Sequence, residues 1–124
     1  MASRYSEPLF VISVAARLVE MHPQTLRKYE REGLIAPSRT AGNLRLYSDE
    51  DIERLRQVKY LVETRGLNLA GVQLALELTQ SLRKLRASMG RSPDSRAWTD
   101  DLDRILVELG FVEQQQVREN ARRR

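Results

Sequence analysis

Residues 23–34, Pro-Gln-Thr-Leu-Arg-Lys-Tyr-Glu-Arg-Glu-Gly-Leu, constrain this chain more than any other stretch, because they hold a complete short helix. Pro23 suits the first helical position, where its missing N–H costs nothing. Gly33 sits where a left-handed residue closes a last turn, and Arg31 lies near the negative end of the dipole. At ~3.6 residues per turn Leu26 points inward, with Tyr29 and Glu30 on its flanks. Gln24, Arg27, Lys28 and Arg31 spread around the other side, and Thr25 sits at its edge. A short capped helix with this basic outer face is expected to lie in a DNA groove. The plainer reading is an ordinary basic surface helix, and the flanking segments decide between the two.

Upstream, residues 1–8 are polar and small and read as a loose lead-in. From Phe10 the pattern is helical, with Val11, Val14, Ala15 and Leu18 at three- and four-residue spacing, Ser13 as a cap and Arg17 on the far side. A break at Glu20-Met21-His22 separates this helix from the next, which is the skeleton of a helix-turn-helix. Downstream, Gly42-Asn43 is a hairpin-turn dipeptide, and Leu44 and Leu46 alternate with Arg45 and Tyr47. The expected ribbon has an apolar face and an outer face carrying Arg45 and Tyr47, with Arg39 on the facing strand. A ribbon with a basic, aromatic edge beside a helix-turn-helix has the form of a wing.

Ser48-Asp-Glu-Asp51 opens a third helix with a capping-box-like start, and its acids complement the positive end of the dipole. Ile52, Leu55, Val58, Leu61 and Val62 form its core stripe, and it ends near Arg65-Gly66. Asn68 caps a fourth helix through Leu69, Val72 and Leu76. Helix starts at Pro23 and Asn68 carry no acid and are open to phosphate, whereas the Ser48 start is not. These two starts and the ribbon are therefore expected on a DNA-facing side. From Leu74 the apolar positions run Leu78, Leu82, Leu85 and Met89, approximating a heptad seam. After a break at residues 90–95, Thr99-Asp-Asp opens a last amphipathic helix through Leu102, Ile105, Leu106 and Leu109 that stops at Gly110. The polar tail ending in Arg122-Arg-Arg124 reads as frayed and solvated.

A net charge of +4 favours an acidic partner without choosing nucleic acid over membrane. No apolar run approaches ~18 residues and no signal-peptide core is evident, so a soluble, cytoplasmic protein is expected. The absence of cysteine excludes disulfides and thiolate metal sites. One histidine, His22, makes a poor metal site and reads instead as a helix-start residue touching backbone. Neither a Gly-rich phosphate loop nor a nucleophile–base pair is evident, so no enzyme and no cofactor are expected.

Residues Val11 to Leu78 resemble the MerR-type winged-helix transcription regulators, with the segments in the same order. Thr25-Leu-Arg27, Tyr29 and Gly33-Leu34 are similar to that family's recognition helix, and Arg45-Leu-Tyr47-Ser48 to its wing strand running into the third helix. The strings Val-Ile-Ser-Val-Ala-Ala (11–16), Met-His-Pro-Gln-Thr-Leu-Arg (21–27), Arg-Thr-Ala-Gly-Asn (39–43) and Asn-Leu-Ala-Gly-Val (68–72) resemble one branch, the heat-shock repressors often called HspR. Lys28 stands where the wider family often has an aromatic residue, and the wing lacks a Gly-Gly pair. The resemblance implies a dimeric repressor of chaperone operons that reads an inverted repeat, with the chaperone DnaK as co-repressor.

The expected architecture is mainly α: a winged helix-turn-helix at 8–78 with a small β-hairpin wing, a helical dimerisation or regulatory region at 79–110, and a tail at 111–124. DNA contacts are expected from Arg17, Gln24, Thr25, Arg27, Lys28, Tyr29, Arg39, Arg45 and Tyr47. Base reading falls to Gln24, Thr25, Arg27 and Lys28, and phosphate contact to the wing. Leu78, Leu82, Leu85 and Met89 are expected at a two-fold dimer interface, the alternative being an intrachain core against the last helix. Trp98 reads as a core anchor of that helix. Two other functions remain open: a MerR-type activator with a small effector, and a weakly specific architectural or excisionase-like DNA binder.

Overall fold

The computed structural model describes residues 4–89 and 93–111. The expected fraying of the tail, from residue 112 on, falls outside them. Within the described residues the chain divides into two compact units, with the boundary between Val58 and Lys59.

The first unit is built around the helix-turn-helix. A 3-10 turn, Arg4–Ser6, leads to strand β1 (Phe10–Val11), helix α1 (Ile12–Val19) and helix α2 (Pro23–Arg31). Strands β2 (Ser38–Arg39) and β3 (Arg45–Tyr47) follow, then helix α3 (Asp49–Lys59), whose last residue begins the second unit. The helix expected from Phe10 starts at Ile12 instead, because Phe10 and Val11 pair antiparallel with Tyr47 and Leu46. The expected two-stranded ribbon thereby becomes a three-stranded sheet in the order β1-β3-β2. Val11 precedes α1 without a side-chain cap, and Ser13 lies inside the helix, so the expected Ser13 cap does not form.

Local signals act as their chemistry requires. Glu20 takes a left-handed conformation, φ 55°, and the Nδ1 of His22 accepts the Gln24 N–H at 3.0 Å to start α2. At the other end Gly33 has φ 77°, and the Leu34 N–H closes on the Tyr29 carbonyl at 2.9 Å. In the wing turn Asn43, not Gly42, takes the positive φ, 65°. Ser48 and Asp51 form a reciprocal capping box: Ser48 N–H donates to Asp51 Oδ2 at 2.9 Å, and Asp51 N–H to Ser48 Oγ at 3.1 Å. Ala15, Val19, Leu26, Tyr29, Leu34, Ile35, Tyr47, Ile52, Leu55 and Val58 are buried and form the core of this unit.

In the second unit a π-helical segment, Tyr60–Thr64, ends at Gly66, φ 66°. Asn68 Oδ1 accepts the Gly71 N–H at 2.9 Å and starts helix α4 (Leu69–Ser88), which runs unbroken past residue 78. A 3-10 turn, Pro93–Ser95, precedes helix α5 (Arg96–Glu108). That helix starts a turn earlier than Thr99, whose hydroxyl bonds back to the Arg96 carbonyl. The pair α4–α5 is held by buried Leu102 and Leu106 and by Arg86 paired with Asp103. The Arg83 guanidinium lies 4.5 Å from the centroid of the buried Phe111 ring. Gly110, φ 83°, stops α5 against Tyr60: a Cβ on Gly110 would come within 2.4 Å of the Tyr60 ring.

Candidate nucleic-acid interface

Helix α2 presents Gln24, Lys28 and Arg31 to solvent, with Arg27 and Thr25 half-buried beside them. The helical repeat places Arg27, Arg31, Gln24 and Lys28 on one continuous arc. Lys28 reaches Glu32 at only 3.9 Å along the same helix, a contact of little energetic weight at that exposure. Arg31, which the base-reading set above omits, lies in the middle of this arc. Arg17 projects from α1 and is exposed. Leu26, fully buried, anchors the helix from behind, and the Arg54 guanidinium holds the Leu34 carbonyl just beyond its end.

The wing departs from expectation in its facing. Tyr47 has no exposed surface, while Leu44 at the turn is exposed and Leu46 half-buried. Pairing with β1 makes β3 the central strand, and the aromatic ring, the largest apolar area available, takes the covered side. Tyr29 is likewise a core residue with 8% exposure. Neither ring is available to DNA in this structure, and the expected surface roles of Tyr29 and Tyr47 are corrected on that ground. The Tyr47 hydroxyl is buried without a hydrogen-bond partner. Burial raises its pKa, as does the nearby charge of Glu30, against smaller opposing effects of Arg45 and Arg27.

Arg39 and Arg45 remain at the surface, and they share one acid. The sheet register sets them directly opposite each other across β2 and β3. Like charges so placed repel. Glu30 of α2 resolves this: its carboxylate accepts from Arg45 Nε at 2.7 Å and from an Arg39 terminal nitrogen at 3.0 and 3.2 Å. A second Arg39 nitrogen donates to the Asn43 carbonyl at 3.2 Å, tying the turn to the same cluster. Burial alone would raise the Glu30 pKa, but the bond and charge of Arg45, with those of Arg39, hold it below the ordinary carboxylate value. The acid thus stays ionised throughout the neutral range and fastens the wing to α2. Sequence reading placed Glu30 on the flank of the helix without a partner, because no spacing rule connects it to residues nine and fifteen positions away.

Of the helix starts, α3 has Asp49, Glu50 and Asp51 in its first turn, and α2 and α4 have none. Among the described residues no group of three or more His, Cys, Asp or Glu is disposed to hold a metal, and no helix is long and apolar enough to cross a membrane.

A short helix-turn-helix with a three-stranded wing and a cationic, solvent-facing α2 is a DNA-reading arrangement. Residues 10–79 match the family described as MerR HTH family regulatory protein. This chain belongs to that family. Over 80 residues it is 54% identical to the putative heat shock protein HspR of Streptomyces coelicolor, covering 64% of this chain and 53% of that protein. Identity is 37% over 78 residues to the HTH-type transcriptional regulator GlnR of Bacillus anthracis, covering 63% and 60%. With the HTH-type transcriptional regulator YfmP of Bacillus subtilis it is 34% over 99 residues, covering 79% and 71%. The chain therefore spans little more than half the length of the HspR and GlnR relatives it matches. Over residues 10–79 it carries the helix-turn-helix of that regulatory family, and over that segment it is similar to relatives named as heat shock protein HspR and transcriptional regulator GlnR.

Five of the nine expected DNA-contact residues of this regulator, namely Arg17, Gln24, Thr25, Arg27 and Lys28, lie on α1 and α2 with exposed or half-buried side chains. Arg39 and Arg45 are brought together at Glu30, and Tyr29 and Tyr47 turn inward. Along α4, Leu78 and Leu85 are exposed, Leu82 is half-buried, and Met89, just past the helix end, is half-buried as well. Trp98 is 65% exposed and is no core anchor. It sits in the first turn of α5, ahead of the buried pair Leu102 and Leu106.

Proposed function

We propose that this regulator is a sequence-specific repressor of chaperone or heat-shock operons, binding an inverted repeat as a homodimer with the DnaK chaperone as co-repressor. The observation that carries the reading is the 54% identity to the Streptomyces coelicolor protein across the DNA-binding segment, the region containing the cationic arc of α2. On this reading Gln24, Thr25, Arg27 and Lys28 meet base edges, while Arg17, Arg39 and Arg45 meet phosphates. Two copies are needed because a palindromic site mirrors the protein's two-fold axis, with half-sites ~34–36 Å or multiples apart. The unpaired leucines of α4, Leu78 and Leu85, with Leu82 and Met89 beside them, supply the apolar seam for that axis.

Selection of bound genomic DNA, with and without added chaperone, tests the proposal. An inverted repeat upstream of chaperone genes, bound more tightly when the chaperone is present, is the expected result. Near-equal affinity for selected and random duplex would sink it and leave a weakly specific architectural binder. Within the selected site, Arg27→Ala should relax discrimination at one base pair of each half-site, by ~1–3 kcal/mol if its contact is bidentate. An unchanged binding profile would remove α2 from the groove.

A further inference from the structure

Glu30 is the acid that both wing arginines share, and its position does more than hold the wing. Glu30 is 20% exposed and takes three hydrogen bonds from Arg39 and Arg45. Arginine forks recognise carboxylate and phosphate through the same geometry. A carboxylate placed on two guanidiniums therefore occupies donors that a DNA phosphate would use, and it halves the net charge that the pair presents.

The geometry points to Glu30 as an internal competitor for phosphate, which restrains the wing arginines until a duplex seated correctly on α2 delivers a phosphate to them. Glu30 is thus a residue that sets affinity for duplex and contacts no base. In a random encounter phosphates approach by long-range attraction alone, and the resident carboxylate weakens that attraction. In the seated complex Arg27, one turn from Glu30 on the same helix, fixes the register, and the exchange of carboxylate for phosphate happens once, in place. The exchange breaks the Glu30 pairs, so the resident carboxylate lowers affinity for the selected site as well as for random duplex. This inference rests on the α2–wing surface being the DNA interface.

The test is salt-dependent binding by the full chain to a random-sequence duplex and to the duplex recovered by selection. Glu30→Gln keeps the shape and some hydrogen bonding but removes the charge. It should bind both duplexes ~3–10-fold more tightly at low salt, with salt slopes steeper by about one. Glu30→Asp keeps the charge and should leave random-duplex affinity near wild type, even where the shorter arm loosens the wing. If Glu30 only scaffolds the wing, Asp and Gln will act alike, weakening both duplexes in parallel with no change of slope; that result overturns the inference. A Gln variant whose random-duplex affinity and slope match wild type overturns it equally. Failure of the wild type to bind either duplex would instead remove the DNA-interface reading itself, and the inference with it.

Discussion

The two units of this chain manage their surfaces in opposite ways. In the first, the residues offered to a partner are polar and mostly cationic: Arg17, Gln24, Lys28 and Arg31 stand exposed, and the wing arginines are held by Glu30. Its exposed large apolar side chains, Leu9, Leu18 and Leu44, belong to three different elements or turns. In the second, large apolar side chains are exposed in rows at helical spacing: Leu74, Leu78 and Leu85 on α4, Trp98 and Ile105 on α5. A polar surface pre-arranged by ion pairs suits a hydrated, charged partner, since it keeps its donors soluble while free. Contiguous apolar rows suit a partner that excludes water. On the proposed reading, the first unit meets nucleic acid and the second meets its own copy.

The sharpest way to break this contrast uses the two helix-ending glycines. Gly33 and Gly110 both have positive φ, 77° and 83°, yet an added Cβ meets nothing within 4 Å at Gly33 and a Tyr60 ring atom at 2.4 Å at Gly110. Gly110→Ala should therefore cost ~2–4 kcal/mol, combining overpacking with backbone strain. Gly33→Ala should cost only about 1 kcal/mol. Denaturant titration compares them, and equal losses would mean that the Tyr60 ring yields freely.

A second test addresses the apolar rows. On the proposed dimer, replacing both Leu78 and Leu85 by Lys should shift sedimentation to monomer and weaken binding to the selected duplex by ~10-fold or more, about 1.4 kcal/mol per tenfold. Since both side chains are about half exposed, at 46% and 51%, the helical circular dichroism should hold. A variant that remains dimeric would move the interface elsewhere. The smallest effect is expected at Tyr47→Phe. Its hydroxyl has no partner, so removal should change stability by less than about 1 kcal/mol and leave duplex binding unaltered. A larger loss in the melt would reveal a partner for the hydroxyl. Weaker DNA binding would restore Tyr47 to the interface.

Much of the α2 surface was legible from sequence because its determinants lie within a few residues of each other. Proline at the start, glycine at the stop, and the Ser48–Asp51 box at the head of α3 all act through bonds that close within about one helical turn. The resemblance of residues 11–78 to MerR-type regulators reached the family for the same reason, since it rests on local strings in a fixed order. Trp98 could not be placed in this way. Its type favours burial, but its exposure depends on which face of α5 meets α4, and Leu102 and Leu106 take that face.

Sequence alone, then, determined the helix-turn-helix, the ends of α2 and its cationic arc, because backbone hydrogen bonds and helical periodicity are short-range. Tertiary structure decided which way the wing faces and what its arginines touch. Phe10 and Val11 joined the sheet and made β3 central, which drew Tyr47 inward. The register of β2 on β3 then set Arg39 against Arg45, and that repulsion is relieved by Glu30 of a separate element. Contacts across nine and fifteen residues obey no periodicity. They exist because folding brings a pair of like charges to an acid that bridges them.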